Sequence, residues 1–459
     1  MTLKSQARGV VIAGTHSGVG KTTVTLAVLR GLVARGLRVQ PFKIGPDFID
    51  PGYHGQISGR TSINLDYWMM GEVGIRRSFE RFSSDSDMSV IESMGAVFDG
   101  EGGTERGSGA HLAKVLNLPV LLVIDIWGLT RSAAALLDGF LSFDPNLNIA
   151  GFIMNRAGSE RHARMVLDAL PERLRTLSFG YLLHDDELGI PERHLGLLTV
   201  EENPAGDELL SRFDSAARTL SLDALAPTPL LNRSPSVRLV GTARGERVRI
   251  AVARDAAFCF YYAENLEMLV DAGAELVPFR PTVEALPADV DGMYVGGGYP
   301  ESFASVLEMN RALGAELRRR CSDGLPVYAE CGGLMLLGRS LTTFDGVCHE
   351  MTDVLPLETL MDKTYLVIRY VAVRTLVSSA LGAAGISARG HEFHQSRIVG
   401  PEASDPLYHV TTSDGAQYYA GSRHAQIAAS YIHLHFASNP EIPRNFVGSC
   451  LKYRSQRRK

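Results

Sequence analysis

Two segments of the chain carry residues whose types and spacing could do chemistry, and the first lies near the N-terminus. The run GTHSGVGKTT at 14–23 follows a short apolar strand and precedes a helical pattern. In that setting glycines let backbone amides surround a phosphate, a lysine adds charge at the β and γ oxygens, and a hydroxyl can bind magnesium. The sequence therefore predicts an ATP-binding phosphate loop. Its predicted contacts are Thr15, which stands at the usual first-glycine position, and Ser17, Gly18, Val19, Gly20, Lys21, Thr22 and Thr23.

Carboxylates follow two later strands, in KIGPDFIDPGYH at 43–54 and IESMGAVFDG at 91–100. Loops at the carboxyl ends of parallel strands face one site, so these side chains are expected near the phosphates. Magnesium prefers oxygen ligands. Any single aspartate here could simply cap a turn. Several carboxylates that follow the appropriate strands together favour a functional site. The predicted metal ligands are Thr22, Asp47 and Glu92, and Asp50 and Asp99 are expected beside them, near an anionic acceptor.

The second segment, LPVYAECGGLMLLGRSL at 325–341, places Cys331 between an apolar strand and a glycine-rich helix start. A sharp strand-to-helix turn exposes such a side chain, and the amides at the helix N-terminus can stabilise a thiolate and an oxyanion. A cysteine is more often a small core residue, but among the five cysteines only Cys331 has this glycine context. The sequence therefore predicts a cysteine nucleophile. Its predicted oxyanion donors are Gly332 and, from the end of another strand, Gly297 and Gly298.

A cysteine nucleophile needs a base, and SYIHLHF at 430–436 offers His433 and His435. Residues two apart on a strand point to the same face, so either imidazole could reach the thiol. A buried core histidine is the alternative interpretation of each.

These segments lie in two sets of alternating strands and helices, which predict parallel sheets covered on both sides. A stretch rich in proline, serine and arginine separates the sets and resembles a linker. Past residue 360, strands follow one another without long helices, which indicates an antiparallel extension of the second sheet. The predicted fold is α/β with two doubly wound domains, at 1–221 and 247–459, joined by a linker at 222–246.

Composition excludes several classes of protein. The 459 residues carry a formal net charge of −5, which argues against a nucleic acid or an anionic membrane as partner. No apolar stretch approaches the roughly 20 residues that a membrane helix needs. Five cysteines without a paired framework, and an N-terminus unlike a signal peptide, predict a cytoplasmic protein. The oligomeric state is not readable from the sequence, which leaves a homodimer open.

Several pieces, in order along nearly the whole chain, resemble the cobyrinate a,c-diamide synthase family. They are GPDFIDPGYH, NLDYW, PERHLGL, VARDAAFCFYY, GGGYPE, YAECGGLM, RGHEFHQSR and SYIHLHFASNP. The resemblance implies a dethiobiotin-synthetase-like ATPase domain followed by a class I glutamine amidotransferase-like domain. It implies ATP and magnesium as cofactors and amidation of the a and c carboxylates of a corrin, with glutamine and a tetrapyrrole polycarboxylate as substrates.

Residue roles follow from matching motifs. The resemblance makes Cys331 the glutaminase nucleophile and His433 the histidine that activates it. On the acceptor side it adds Tyr53, Asn64 and Asp66 as candidate substrate contacts. One departure matters for the mechanism: class I glutaminases usually carry a glutamate two residues after the catalytic histidine, and His435 stands there.

Other interpretations remain open. Cobyrinate, hydrogenobyrinate and nickel-sirohydrochlorin are hardly distinguishable as acceptors from the sequence. A cobyric acid synthase is disfavoured, because those enzymes tend toward a TYLHGIF-like ending. An interpretation from another class makes the chain a non-catalytic P-loop ATPase switch or scaffold, but such partitioning ATPases carry a second lysine where His16 stands.

Overall fold

A parallel sheet of seven strands organises the first half of the chain. The structure is a computed structural model that describes residues 9–190, 198–225, 247–399 and 406–457. The strands are β1 (Gly9–Gly14), β2 (Val39–Ile44), β3 (Ile63–Leu65), β4 (Met88–Ala96), β5 (Val120–Asp125), β6 (Ile149–Ala157) and β7 (Ser178–Leu183). Their order across the sheet is β3-β2-β4-β1-β5-β6-β7, and every neighbouring pair is parallel. The five strands expected from apolar runs are confirmed, and the short β3 and the half-exposed β7 were not foreseen.

Helices follow these strands as parallel connections require. They are α1 (Lys21–Ala34), α2 (Asp50–Ser58), α3 (Tyr67–Ser83), α4 (Gly109–Leu116), α5 (Ser132–Phe143), α6 (Glu160–Ala169), α7 (Glu172–Arg175) and α8 (Asp207–Ala217). The helix α1 buries most of its length, and its apolar side chains share a core with strands β1, β4 and β5. This packing fixes the start of α1 against the end of β1, where the predicted phosphate loop lies.

A ten-stranded mixed sheet organises the second half. Its parallel part has the order β20-β11-β10-β8-β9, and its antiparallel part continues from β20 as β19-β18-β15-β16-β21. The parallel strands are β8 (Val248–Ala253), β9 (Ala274–Phe279), β10 (Gly292–Val295), β11 (Val327–Glu330) and β20 (Ile427–Ser430). The antiparallel strands are β15 (Val367–Thr375), β16 (Ser387–His394), β18 (Pro406–Thr412), β19 (Gln417–His424) and β21 (His433–Leu434). The predicted antiparallel extension is confirmed.

Smaller elements complete the second half. A separate four-stranded sheet has the order β13-β12-β14-β17, from β12 (Ser340–Thr342), β13 (Cys348–Glu350), β14 (Glu358–Met361) and β17 (Ser396–Val399). The helices are α9 (Ala263–Asp271), α10 (Ala304–Met309), α11 (Arg311–Ser322), α12 (Gly332–Leu337) and α13 (Glu441–Arg457). Two apolar clusters form the core of this half.

The segment around the two candidate histidines differs from the expectation. The run 427–436 is not one strand: β20 pairs with β11, whereas β21 pairs with β16 at the far end of the sheet order. The strand β21 ends at Leu434, and His435 begins a short 3-10 helix. The prediction that both histidines lie on one strand is therefore wrong.

The chain divides into two units, Met1–Arg238 and Leu239–Lys459. This division falls inside the predicted linker 222–246, of which residues 226–246 lie outside the described part. Leu222 at its start is buried in the core of the first unit. The boundaries drawn at 221 and 247 stay a prediction. The motif PERHLGL at 191–197 also lies outside the described residues.

A search of the described ranges finds no helix with the length and apolar character needed to cross a bilayer.

The packing of β6 against the next strand generates a stability prediction. A Cβ on Gly151 would collide with the Leu177 carbonyl oxygen and the Phe179 ring. We expect Gly151→Ala to lower the free energy of unfolding of the first unit by roughly 2–4 kcal/mol, because the obstacle includes backbone. Both tryptophans, Trp68 and Trp127, lie in this unit, so tryptophan fluorescence during denaturation measures its unfolding.

The matched control is Gly139→Ala in the middle of α5, where an added Cβ meets nothing within 4 Å. Alanine should leave stability unchanged or raise it by about 0.4–1 kcal/mol, because it restricts the unfolded chain. Equal effects of the two substitutions would contradict the packing described for β6.

Candidate functional site

The loop between β1 and α1 is held in shape from several sides. The Thr15 amide donates to the Val123 carbonyl of β5 at 3.1 Å. The Asn155 amide donates to the Val19 carbonyl at 2.9 Å, and Arg156 donates to the Gly18 carbonyl at 2.9 Å. Because neighbouring strands supply these contacts, the loop conformation is set by the fold itself.

Individual positions in the loop have different surroundings. Gly20 has a φ of 87°, and a Cβ there would collide with the Asn155 amide, so both backbone angle and space require glycine. Val19 is buried in the core and offers only its backbone to a ligand. Ser17 and Gly18 are exposed, and Lys21 is buried at the first position of α1. The predicted phosphate contacts thus lie in the loop and in the first turn of α1, and their contacts with nucleotide stay a prediction.

A buried cluster of opposite charges lies beside the loop. The Lys43 Nζ lies 2.5 Å from Asp50 Oδ2 and 2.8 Å from Glu92 Oε1, with Asp47 Oδ2 at 3.5 Å. The Thr22 hydroxyl donates to the same Glu92 oxygen at 2.8 Å. The cluster therefore joins the predicted metal ligands to a lysine that motif reasoning did not select.

The second oxygen of Glu92 contacts a buried histidine: His54 Nε2 lies 2.7 Å from Oε2. Glu92 itself lies within β4 and not in the following loop, and Asp50 is the first residue of α2. The expectation that both belong to loops is wrong, although both do reach the predicted site.

Burial and pairing set the protonation states in this cluster. Burial opposes the charge on Lys43, but the carboxylates of Asp50, Glu92 and Asp47 outweigh it and raise the pKa of Lys43 well above its usual value. Burial would raise the pKa of Glu92, yet Lys43 and His54 hold it below the usual value. The pKa of Asp50 is raised by burial and by the Asp47 charge. Three carboxylates thus share the positive charge of one lysine.

Lys21 experiences the same surroundings. Burial and the nearby charge of Lys43 lower its pKa, while Glu92 and Asp50 act in the opposite direction. Two lysines and three carboxylates are thus gathered at this end of the sheet.

The predicted acceptor contacts have identifiable structural roles. The Asn64 amide donates to the carbonyls of Gly45 and Asp47. The Asp66 carboxylate caps α3 by accepting from the Met69 amide, and the Tyr53 hydroxyl donates to the carbonyls of Leu198 and Asn203. Asp99 is exposed on the turn after β4, where its amide donates to the Ala96 carbonyl at 3.2 Å. Contact of these residues with a substrate stays a prediction.

The predicted nucleophile sits on a sharp turn between β11 and α12. Cys331 has φ 48° and ψ −104°, a conformation that costs energy for a residue with a side chain. Its amide donates to the Ser430 carbonyl of β20 at 2.8 Å, which anchors the turn. The side chain is 7% exposed, and its sulfur lies 3.9 Å from the Phe393 carbonyl oxygen. The elbow geometry expected from the sequence is present.

His433 lies beside this cysteine. A Cβ on Gly297 would lie 3.4 Å from the Cys331 Cβ and 3.2 Å from the His433 Nε2, so the two side chains flank one glycine. Gly390 on β16 lets β21 approach, since a Cβ there would collide with the His433 carbonyl. Burial opposes protonation of His433, but Cys331 and Glu330 outweigh it and raise its pKa to about 9. These two neighbours therefore favour the protonated form of the imidazole.

The three predicted oxyanion glycines are not equivalent. The Gly297 amide donates to the Phe260 carbonyl at 3.3 Å, so its hydrogen is already directed elsewhere. The Gly298 nitrogen lies 3.3 Å from the position of a Cβ on Gly332, so these two glycines are close neighbours, and Gly332 directly follows the predicted nucleophile. Gly298 and Gly332 have the better placement, and the role of all three stays a prediction.

Two further charged residues were missed by motif reasoning. Lys43 lies in the segment 43–54, whose aspartates were predicted to be near the phosphates. The signal that could have identified Lys43 is its position in a strand whose residues are all buried. Glu330 directly precedes the nucleophile and ends an apolar strand, and its Oε2 lies 3.8 Å from His433 Nδ1. A charged residue that interrupts an apolar strand needs a partner when it is buried, which marks both positions.

Comparisons with known proteins agree with this two-site organisation. Residues 10–197 match the family model of the CobQ/CobB/MinD/ParA nucleotide binding domain, and residues 249–441 match the CobB/CobQ-like glutamine amidotransferase domain. A cobyrinate a,c-diamide synthase of Priestia megaterium is 40% identical over 98% of this chain and 99% of its own. One from Syntrophotalea carbinolica is 40% identical over 96% and 98%, and one from Thermoplasma volcanium is 39% identical over 98% of both chains.

The fold and the matched models define a two-domain protein with a nucleotide-binding domain followed by a glutamine amidotransferase domain. The agreement with the curated relatives extends over almost the entire length. The chain belongs to the cobyrinate a,c-diamide synthase family, and the resemblance found in its motifs is confirmed.

The buried cluster beside the phosphate loop generates a second prediction. We expect Lys43→Met to lower the free energy of unfolding of the first unit by roughly 3–5 kcal/mol, because Glu92 and Asp50 would lose their buried counter-charge. Tryptophan fluorescence during denaturation measures the change.

The control is Lys114→Met, which removes a lysine that pairs with Glu105 and Asp144 near the surface. Water screens such a pair, so we expect a loss within about 0.2–1 kcal/mol. If Lys43→Met costs no more than this control, the charge balance described for the cluster is incorrect.

Proposed function

We propose that the protein amidates the a and c carboxylates of cobyrinate or hydrogenobyrinate, using ATP and glutamine. The observation that carries the proposal is that one chain of this family combines a glycine-rich loop beside a charged cluster with a cysteine elbow beside a buried histidine. The cobyrinate a,c-diamide synthases it resembles match over their whole length, so neither half lacks a counterpart.

In the first unit the acceptor carboxylate is activated, because a carboxylate oxygen is a poor leaving group. An oxygen of the acceptor attacks the γ-phosphorus of ATP, ADP leaves, and an acyl phosphate forms. Lys21 stabilises the charge on the transferred phosphoryl group. Magnesium, held by Thr22 with Asp47 and Glu92, would neutralise phosphate charge when bound, and the hydroxyl and carboxylate oxygens present there suit such a cation.

In the second unit glutamine supplies ammonia. The Cys331 thiolate attacks the side-chain amide carbon, and His433 donates its proton to the departing nitrogen, which leaves a glutamyl thioester. Water then attacks the thioester, with the now neutral His433 accepting its proton, and glutamate leaves. Amides of Gly298 and Gly332 are proposed to stabilise the oxyanion of both steps. Ammonia attacks the acyl phosphate, and inorganic phosphate leaves.

We also propose that the enzyme works in the cytoplasm. All five cysteines lie in the described part of the chain and none of them forms a disulfide, which suits a reducing compartment. A homodimer stays a prediction.

The separation of the two chemistries gives a third prediction. We expect Cys331→Ala to lower glutamine-dependent amidation by at least about 10³-fold and to leave ammonia-dependent amidation intact, because only the nitrogen source is removed. Lys21→Ala should abolish amidation with both donors, since it acts on the activation step that they share. The measurement is amide formation under saturating ATP with either glutamine or ammonium chloride.

The control is Cys348→Ala, which removes an exposed thiol from the second unit and should change neither activity. Loss of both activities in Cys331→Ala, or unchanged turnover in Lys21→Ala, would count against the two-step scheme.

The acceptor is the subject of the fourth prediction. We expect cobyrinate or hydrogenobyrinate, incubated with the enzyme, ATP, magnesium and glutamine, to gain two amides that mass spectrometry detects as successive acid-to-amide conversions. Nickel-sirohydrochlorin belongs in the same panel. If the enzyme diamidates that ring in preference to cobyrinate and hydrogenobyrinate, the proposed acceptor is wrong and the proposed reaction still holds.

A further inference from the structure

A buried carboxylate lies on the side of His433 that faces away from the nucleophile. The Glu330 Oε2 is 3.8 Å from the His433 Nδ1, and both side chains are at most 2% exposed. The Cε1 and Nε2 atoms of the same ring lie against Gly297, and Cys331 borders the same glycine. The imidazole therefore stands between a sulfur and a carboxylate, which is the order of groups in a nucleophile–base–acid triad.

Three donors hold this carboxylate in place. The Tyr294 hydroxyl donates to Oε2 at 2.8 Å, and the Tyr328 hydroxyl donates to Oε1. The Leu434 amide also donates to Oε1, at 2.9 Å. Leu434 follows His433 on β21, so the Glu330 carboxylate holds the strand that carries the histidine. The same carboxylate places a negative charge beside the imidazole ring.

His435, which stands at the usual position of the triad acid, cannot act as that acid. His435 is fully buried, and burial lowers its pKa to about 3, so it is neutral at physiological pH. Its Nδ1 accepts from the Ala437 amide at the start of the 3-10 helix. A neutral imidazole that is held in this way supplies no negative charge to His433.

The other groups around His433 do not compete for this role. His391 stacks on His433 with ring centres 5.0 Å apart, and burial together with the neighbouring imidazoles lowers its pKa well below the usual value. Tyr294, Tyr328 and Tyr408 surround Glu330, and burial, followed by the carboxylate's own charge, raises the pKa of each of these phenols. Among these neighbours Glu330 is the one anion facing His433 from the side opposite Cys331.

We infer that Glu330 is the positioning residue of the glutaminase site, and that the triad is Cys331, His433 and Glu330. The inference rests on the proposed glutaminase function and adds the third member that the usual spacing does not provide. Glu330 keeps Nδ1 protonated and directs Nε2 toward the sulfur, and its charge stabilises the imidazolium before the proton passes to the leaving nitrogen. The acid thus precedes the nucleophile in the chain and does not follow the histidine.

The test is Glu330→Gln, which keeps the shape of the side chain and removes its charge. We expect glutamine-dependent amidation to fall by about 10²-fold through kcat, and ammonia-dependent amidation to stay within twofold, because the first unit is unaffected. The matched control is His435→Asn, which replaces the residue at the usual acid position with one that can still cap the 3-10 helix, and it should retain glutamine-dependent activity.

The pH profile separates positioning from a general structural effect. Loss of the carboxylate lowers the pKa of His433, so the imidazolium disappears at a lower pH. In the pH profile of kcat/KM for glutamine, the basic limb should therefore move to lower pH in Glu330→Gln. A variant that merely contains fewer folded molecules would keep the basic limb at its original pH. Glu330→Asp retains a negative charge and should keep most of the original profile.

A measurement on the unaltered protein covers the case in which Glu330→Gln does not fold. In histidine-labelled protein, the NMR resonance of His433, assigned by its absence in His433→Gln, should show a ring protonated well above pH 7. Titration near the ordinary value of about 6.5 would overturn the inference. If glutamine-dependent activity survives Glu330→Gln but not Cys331→Ala, the inference is wrong and the proposed function stands. If it survives Cys331→Ala, the proposed function itself fails.

Discussion

Charge buried at the ends of parallel strands is the constraint on which both candidate sites depend. A buried ion costs several kcal/mol unless a partner of opposite sign lies next to it. In the first unit Lys43 balances Glu92 and Asp50, and in the second Glu330 balances His433. Lys43 and its carboxylates lie beside the predicted phosphate loop, and Glu330 and His433 lie beside Cys331. Because the buried charges must be paired, the same contacts also hold the candidate reactive side chains in place.

Strand pairing brings the charged partners together in a different way in each unit. Lys43 on β2 lies directly opposite Glu92 on β4, and β4 is also the neighbour of β1, which leads into the phosphate loop. In the second unit Glu330 closes β11 opposite Ser430 of β20, and His391 on β16 lies opposite His433 on β21. Cross-strand neighbours are close by construction, so the pairing of Lys43 with Glu92 is a consequence of the register. Glu330 meets His433 in another way, because it lies opposite Ser430, three residues before the histidine in the chain.

The sequence allowed the prediction of those elements that a strong local pattern marks. Apolar runs located the central strands, the glycine-lysine-threonine run located the start of α1, and the glycines after Cys331 located the elbow. Register does not appear in a local pattern, and for that reason the pairing of Lys43 with Glu92 was not foreseen. The separation of β20 from β21 was missed for a related reason: 427–436 has the composition of one apolar strand, and only the sheet order shows that its two ends pair with different neighbours.

The break between β20 and β21 also explains how the second site can manage without an acid after the histidine. On one continuous strand His433 and His435 would point to the same face, and the second position could support the first. Here the chain turns into a 3-10 helix at His435, whose ring is used to cap that helix. The supporting charge then has to come from another strand. Glu330 satisfies this requirement because β11 also leads into Cys331, the proposed nucleophile, so one strand end positions both the sulfur and the carboxylate. The histidine is then held between two groups whose separation the backbone itself defines.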